Sequence, residues 1–214
     1  MSEMGAFASR LVRVGAAPIA DAGGRVLDRR LVALWPGATA AGPALTVHCA
    51  PGDNLALQVA VAQATPGAVL VVDAGGPSAD RAVWGEVMAA AAAARGISGM
   101  VLDGLTRDVG AVTGRRFPVW AAGRSPAGPT KTGPGSVGAT VQVGGVSIEP
   151  GEWVIGDGDG VVVIGADDVE VALDAAEAKA RRESEWFGAL ARGATTIELF
   201  GLDPASVVTS LNAG

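Results

Sequence analysis

Six consecutive alanines, Ala89 to Ala94, stand between two short apolar runs that each end on an aspartate, Ala68 to Asp73 and Gly99 to Asp103. Alanine is the strongest helix former, whereas the flanking runs are short and rich in valine, leucine and methionine, as buried strands are. A chain that alternates such segments is committed to a mixed α/β architecture. The pattern predicts a helix over Ala82 to Arg95, closed by Gly96. It also predicts strands at Ala44 to Val47 and Phe117 to Ala121. A further helix is expected over Asn54 to Ala64, capped by Asp53 or Asn54.

Past Gly123 the character changes. Residues 123 to 136 are rich in glycine and proline and read as a long exposed loop. Strands are expected at Thr140 to Val143 and Val146 to Ile148 around the Gly144-Gly145 turn. Two more, Trp153 to Ile155 and Val161 to Ile164, flank Gly156 to Gly160. A long helix follows from about Asp167 to Arg192. No internal repeat and no linker divides the chain.

Composition excludes several chemistries. With 16 basic and 22 acidic residues the net charge is −6, which is not the basic footprint of a nucleic-acid binder. The single cysteine, Cys49, rules out an internal disulfide and a cysteine zinc site within one chain. The single histidine, His48, leaves only one residue around which a Ser-His-Asp arrangement could form. Ordinary packing is expected of both. From Met1 to Ala22, Arg10, Arg13 and Asp21 interrupt any signal-like run, and no stretch approaches the ~18 apolar residues of a spanning helix. These features lead us to expect a cytoplasmic protein with no membrane partner.

Two motifs are decoys. Gly133-Pro134-Gly135-Ser136-Val137-Gly138 matches a dinucleotide fingerprint in letters, but a Pro-rich loop precedes it and a strand follows. The segment Gly128 to Thr132 lacks the glycine that a phosphate loop places before its lysine. Asp157 to Gly160 reads as a tight turn, since it lacks the spaced oxygens of a calcium loop. The stretch from Trp84 to Asp108 carries more. Gly85-Glu86-Val87-Met88 opens the alanine helix, whose first-turn amides suit an anion such as a carboxylate. The next strand delivers Arg107 and Asp108 at its C-terminal end. A carboxylate there suits a hard cation, and a guanidinium suits a substrate oxygen.

Trp84-Gly85-Glu86, Gly96…Gly99, Val101-Leu102-Asp103-Gly104…Arg107-Asp108 and Phe117-Pro118-Val119 together resemble the RraA-like family. Gly52-Asp53-Asn54, Pro66-Gly67…Val69 to Asp73 and Pro150-Gly151-Glu152…Gly156-Asp157…Asp159-Gly160 extend the likeness over Leu34 to Leu202. The family includes the class II pyruvate aldolase acting on 4-hydroxy-4-methyl-2-oxoglutarate and the regulator of ribonuclease activity A.

The resemblance implies a three-layer β/β/α sandwich, with residues 1–33 packing on a domain of residues 34–202 and a tail at 203–214. It implies a homotrimer or hexamer whose inter-subunit site takes a small 2-keto acid and a divalent cation, Mg²⁺ or Mn²⁺. Asp108 would be the metal ligand, Arg107 would contact the keto oxygen, and Gly85, Val87 and Met88 would hold the carboxylate. Glu86 would steady a water, and Glu183 would come from a neighbouring subunit, with Glu185 as its rival. Ala111 departs from the acidic residue common at that position. Two functions follow: a lyase (aldolase, with oxaloacetate decarboxylation), or a non-catalytic ribonuclease-regulator-like binding protein. A methyltransferase reading finds no nucleotide-type glycine loop in the required context.

Overall fold

The computed structural model describes residues 3–207, which fall into two compact units, 3–176 and 177–207. The first opens with α1 (Glu3–Val14), α2 (Ala16–Asp21), β1 (Arg25–Val26), β2 (Val32–Ala33) and β3 (Ala40–Cys49). Next come α3 (Leu55–Gln63), β4 (Val69–Asp73), β5 (Ala82–Trp84), α4 (Glu86–Ala94), β6 (Gly99–Thr106), α5 (Val109–Gly114) and β7 (Val119–Arg124). The strands β8 (Gly135–Val137), β9 (Val141–Val143), β10 (Val146–Ile148), β11 (Trp153–Gly156) and β12 (Val161–Ile164) lead into α6 (Val169–Ala191).

One curled mixed sheet runs in the order β1-β12-β11-β3-β4-β6-β7-β2, with β5 beside β6 and β8 beside β3; β9 and β10 form a separate hairpin. The strands β3, β4, β6 and β7 are mutually parallel, and β11 runs antiparallel to β3. Strand β3 serves two neighbours in turn. Its first residues, Ala40 to Pro43, pair with β11, and Ala44 to His48 pair with β4. Pro43 has no N–H to give a ladder and sits where the partner changes. At Gly42 a side chain would meet the Gly67 carbonyl oxygen at 2.1 Å, so only glycine fits the close approach of the two backbones.

Side-chain alternation along β4 builds the layers. Leu70 and Val72 point into a cluster with Leu57 and Ala60 of α3 and with Met88, Ala89 and Ala92 of α4. Val69 and Val71 point the other way, against Val141 and Val143 of the hairpin, Ile148, Val154 and Val163. Strand, strand and helix layers therefore stack as β/β/α, the expected sandwich. A third cluster joins Leu11, Ile19, Ile155, Val162, Leu173 and Ala176, which seats α1, α2 and the start of α6 on the far part of the sheet. Burying each such side chain contributes about 1.5–3 kcal/mol.

Several local expectations need correction. Ala82 to Trp84 is not the start of the alanine helix. Its three buried residues pair with β6 as β5, and the helix begins only at Glu86. Valine and tryptophan gain more from the sheet than from a helix turn, and the extended backbone of Gly85 ends the strand. Strand β3 has ten residues where four were expected. The loop over 123 to 136 contains the end of β7 and the first two residues of β8. His48 is half exposed, its Nδ1 3.0 Å from Asp73 Oδ2, whereas Cys49 is buried as expected and burial pushes its thiol up to about 11.

The second unit holds the end of α6 and α7 (Thr196–Phe200). Thr195 and Glu198 form a reciprocal capping box at the start of α7, and Trp186 meets Phe200 edge to face with ring centroids 5.0 Å apart. Residues 208–214 of the expected tail lie outside the described residues. No helix among the described residues is long and apolar enough to cross a membrane.

Candidate active site

Three elements converge at the C-terminal end of β6. Arg107 and Asp108 follow that strand directly, and β5 runs alongside, so the Arg107 N–H donates to the Trp84 carbonyl at 2.9 Å. Asp108 then adopts a left-handed backbone (φ 53°) as the chain turns into α5. Its side chain makes no capping bond to α5 and faces α4 instead. There Asp108 Oδ2 accepts from the Glu86 N–H at 3.2 Å and lies 3.6 Å from Arg107 Nε. This contact requires Gly85: a β-carbon there would sit 2.6 Å from Asp108 Oδ2 and 3.1 Å from Arg107 Cγ.

Helix α4 leaves its first-turn amides without intrahelical acceptors. Asp108 occupies that of Glu86, and Val87 and Met88, whose amides have no acceptor within the helix, line a cleft of about 190 Å³. Gly85, Val87, Met88, Arg107 and Asp108, all expected at a site, line this cleft together. Glu86 stands next to it and is held by Arg115, whose Nη2 donates to Oε1 at 2.8 Å. Among the described residues Asp108 Oδ1 and Glu86 Oε2 have no protein partner. Glu183 lies in the second unit, where Lys179 Nζ is 3.6 Å from its Oε1 in an i,i+4 pair, and Glu185 lies on the same helix.

Sequence reasoning missed six residues of the cleft as site residues: Asn54, Gln58, Val83, Trp84, Pro129 and Lys131. The segment set aside as a failed phosphate loop forms one wall. Asp53 holds that wall. Its Oδ2 accepts from Thr130 Oγ1 at 2.7 Å, the Thr132 N–H at 2.7 Å and the Gly133 N–H at 2.9 Å, while Oδ1 accepts from Leu55 N–H at 2.9 Å. Burial alone would raise the carboxyl, but these four donors outweigh it and hold Asp53 well below the usual carboxylate range. The available signal was the pair of cues Gly52-Asp53-Asn54 and Thr130-Lys131-Thr132, far apart in sequence and joined by the Asp53 carboxylate and by backbone bonds of Gly52 and Asn54 to Thr130.

The other acidic motifs are engaged in structure. Asp103 is buried, accepting from Arg30 Nη2 at 2.6 Å and the Gly144 N–H at 2.9 Å. Asp157 accepts from the Ala16 and Asp159 N–H groups, so its turn is explained without a ligand. Gly133 to Gly138 runs through β8 with no helix behind it. Among the described residues no three His, Cys, Asp or Glu side chains converge as a metal cage. A cation would instead rest on Asp108 Oδ1 and water, a shell that suits Mg²⁺ or Mn²⁺.

A parallel-centred β/β/α sandwich with a small cleft at the end of its middle strands, lined by Arg107, Asp108 and Lys131, defines the class: an α/β protein of mixed sheet and helix layers. The chain belongs to the RraA-like family, whose model, described as aldolase/RraA, matches residues 16–163. It is 42% identical over 138 residues to a protein of Halalkalibacterium halodurans named "Putative 4-hydroxy-4-methyl-2-oxoglutarate aldolase". That match covers 64% of this chain and spans 65% of the relative's length. Among solved structures, a Geobacillus kaustophilus protein titled S-adenosylmethionine:2-dimethylmenaquinone methyltransferase superposes with a TM-score of 0.65 at 32% identity. That superposition covers 70% of this chain and 93% of that one. Streptomyces coelicolor RraAS2, described as an unusual member of the RNase ES inhibitor RraA family, superposes with a TM-score of 0.72 at 27% identity, covering 89% and 97%.

Proposed function

We propose that the chain is a divalent-metal-dependent pyruvate aldolase. It cleaves 4-hydroxy-4-methyl-2-oxoglutarate, or a related 4-hydroxy-2-keto acid, to pyruvate, and decarboxylates oxaloacetate as a side reaction. The observation that carries this reading is that Val87 and Met88 of the first turn of α4, Arg107 and the half-engaged Asp108 line one small cleft together. The amides receive the carboxylate beside the keto group. Arg107 donates to the keto oxygen, where negative charge collects as the C3–C4 bond breaks and the 4-hydroxyl loses its proton. The electron pair of that bond passes into the pyruvate enolate, the 4-hydroxyl carbon becomes a carbonyl, the hydroxyl proton passes to the water beside Glu86, and the enolate takes a proton back at C3 to give pyruvate.

Asp108 and water would hold the cation, which supplies Lewis-acid stabilisation of charge on the keto acid and a more acidic bound water. Glu86, fixed through Oε1 by Arg115, keeps Oε2 to orient a water molecule. Lys131 supplies the positive charge for a second carboxylate. Glu183, or Glu185, serves a neighbouring subunit's site in a trimer or hexamer. The same enolate arises when oxaloacetate loses carbon dioxide, so one cleft accommodates both reactions.

The likeness to the Streptomyces RraA protein favours a second reading, regulation of a ribonuclease by surface contact. One experiment separates the two. Pyruvate release from 4-hydroxy-4-methyl-2-oxoglutarate and from oxaloacetate is measured with Mg²⁺ or Mn²⁺, with chelator, and with Asp108→Ala. Metal-dependent release that Asp108→Ala abolishes supports the aldolase. No release above the metal-only background from folded wild type refutes it and leaves the binding role.

A further inference from the structure

Asn54 is buried between the loop wall of the cleft and α3. Its N–H donates to the Thr130 carbonyl at 3.0 Å, and its own carbonyl accepts from the Gln58 N–H at 3.0 Å. The side-chain orientation is fixed by chemistry. Nδ2 donates to the Val83 carbonyl at 3.0 Å, and a flipped amide would set two acceptors against each other. Oδ1 therefore faces away from Val83, and it is buried with no donor in reach, although Asn54 is only 3% exposed. A buried acceptor without a donor is uncommon in a folded protein and calls for a partner from outside the chain where it borders a cleft. Asn54 lines the same cleft as Arg107, Asp108, Val87 and Met88.

We propose that Asn54 is a specificity-determining residue whose Oδ1 accepts a hydrogen bond from a substrate hydroxyl, the 4-hydroxyl of a 4-hydroxy-2-keto acid. The identity of the acid rests on the aldolase reading; the acceptor for a hydroxyl does not. An amide oxygen is no base at neutral pH, so Asn54 orients the O–H and leaves its proton to another group. Acids that lack the hydroxyl leave Oδ1 unpaired and are discriminated against. Oxaloacetate lacks it, so its decarboxylation does not use this contact.

The test is calorimetric binding of 4-hydroxy-2-oxoglutarate and of 2-oxoglutarate, which differ only in that hydroxyl, to wild type and to Asn54→Ala. Chelator is present so that no turnover intervenes. Wild type should prefer the hydroxylated acid by about tenfold or more, and Asn54→Ala should narrow the preference to about twofold. In parallel, kcat/KM for aldol cleavage should fall by about tenfold or more in the variant, a larger loss than that of oxaloacetate decarboxylation in the same cleft. Equal weakening of both ligands in the variant means that Asn54 only supports the fold, and it overturns the proposal. So does a wild type that binds the two acids alike, a result that needs no variant to fold. A wild type that discriminates between the acids but releases no pyruvate upholds Asn54 and defeats the aldolase reading instead.

Discussion

Replacing Gly85 with alanine isolates the placement of the Asp108 carboxylate from the stability of the fold. The Gly85 backbone (φ −165°, ψ −167°) is extended and open to any residue, so alanine meets no conformational penalty. The effect is steric. A β-carbon 2.6 Å from Asp108 Oδ2 must be brought to ordinary contact, which begins at 3.4 Å, so the carboxylate retreats by about 0.8 Å. The Asp108 side chain is 46% exposed and can swing outward, giving up its bond from the Glu86 N–H. The stability cost is therefore about 1 kcal/mol, a shift of about 2–4 °C in the melting temperature. Displacing a catalytic group by close to 1 Å costs about 10²-fold in rate, or about 2.7 kcal/mol of barrier. Metal-dependent pyruvate release should fall a hundredfold, about the size of that misplacement penalty, in a protein whose melting curve barely moves. Retention of kcat/KM within about threefold would falsify the reasoning, because the carboxylate would then not need its present position.

Asp53 governs the loop wall and gives the acid limb of stability. Because its folded carboxyl lies below its unfolded value, its contribution is present above about pH 4 and is lost as pH falls further. Chemical denaturation from pH 7 down to 3 should show that loss in wild type, and Asp53→Asn should flatten this limb. Asp53→Ala leaves buried donors unpaired at about 1–3 kcal/mol each, and proteolysis within residues 128–133 should become faster. Arg115→Ala removes an ion pair that is nearly half exposed, so the melting temperature should move by less than about 3 °C while pyruvate release falls as Glu86 loses its anchor. Gly42→Ala sets a methyl group against the Gly67 carbonyl; backbone cannot yield cheaply, and a loss of about 3 kcal/mol or more should appear as a much lower urea midpoint.

The layers and the heart of the cleft were legible because local sequence encodes them. Valine runs fix β4 and β12, and the alanine run fixes α4. Arg107 and Asp108 stand directly behind a strand whose end is evident. What stayed hidden depends on partners far apart in the chain. Ala82 to Trp84 reads as helix until β6 is present to pair with it. The 128–133 loop is exposed at Thr130 to Thr132, as it reads, but its place as a cleft wall through Lys131 appears only once Asp53 gathers its donors. His48 lies one residue before the end of β3 on the face opposite the buried Cys49, so its imidazole stands half exposed beside Asp73.

The change of partner along β3 also sets an order of events during synthesis. Ala44 to His48 find β4 soon after emergence, and the β4–β6–β7 ladder can follow as each strand leaves the ribosome. Ala40 to Pro43 must wait for Trp153 to Gly156, and loop closure over that separation is slow. For most of translation the nascent chain therefore carries an open sheet edge beside Gly42. A message truncated before codon 153 would yield a protein with its parallel core in place and that edge permanently open, a template for aggregation.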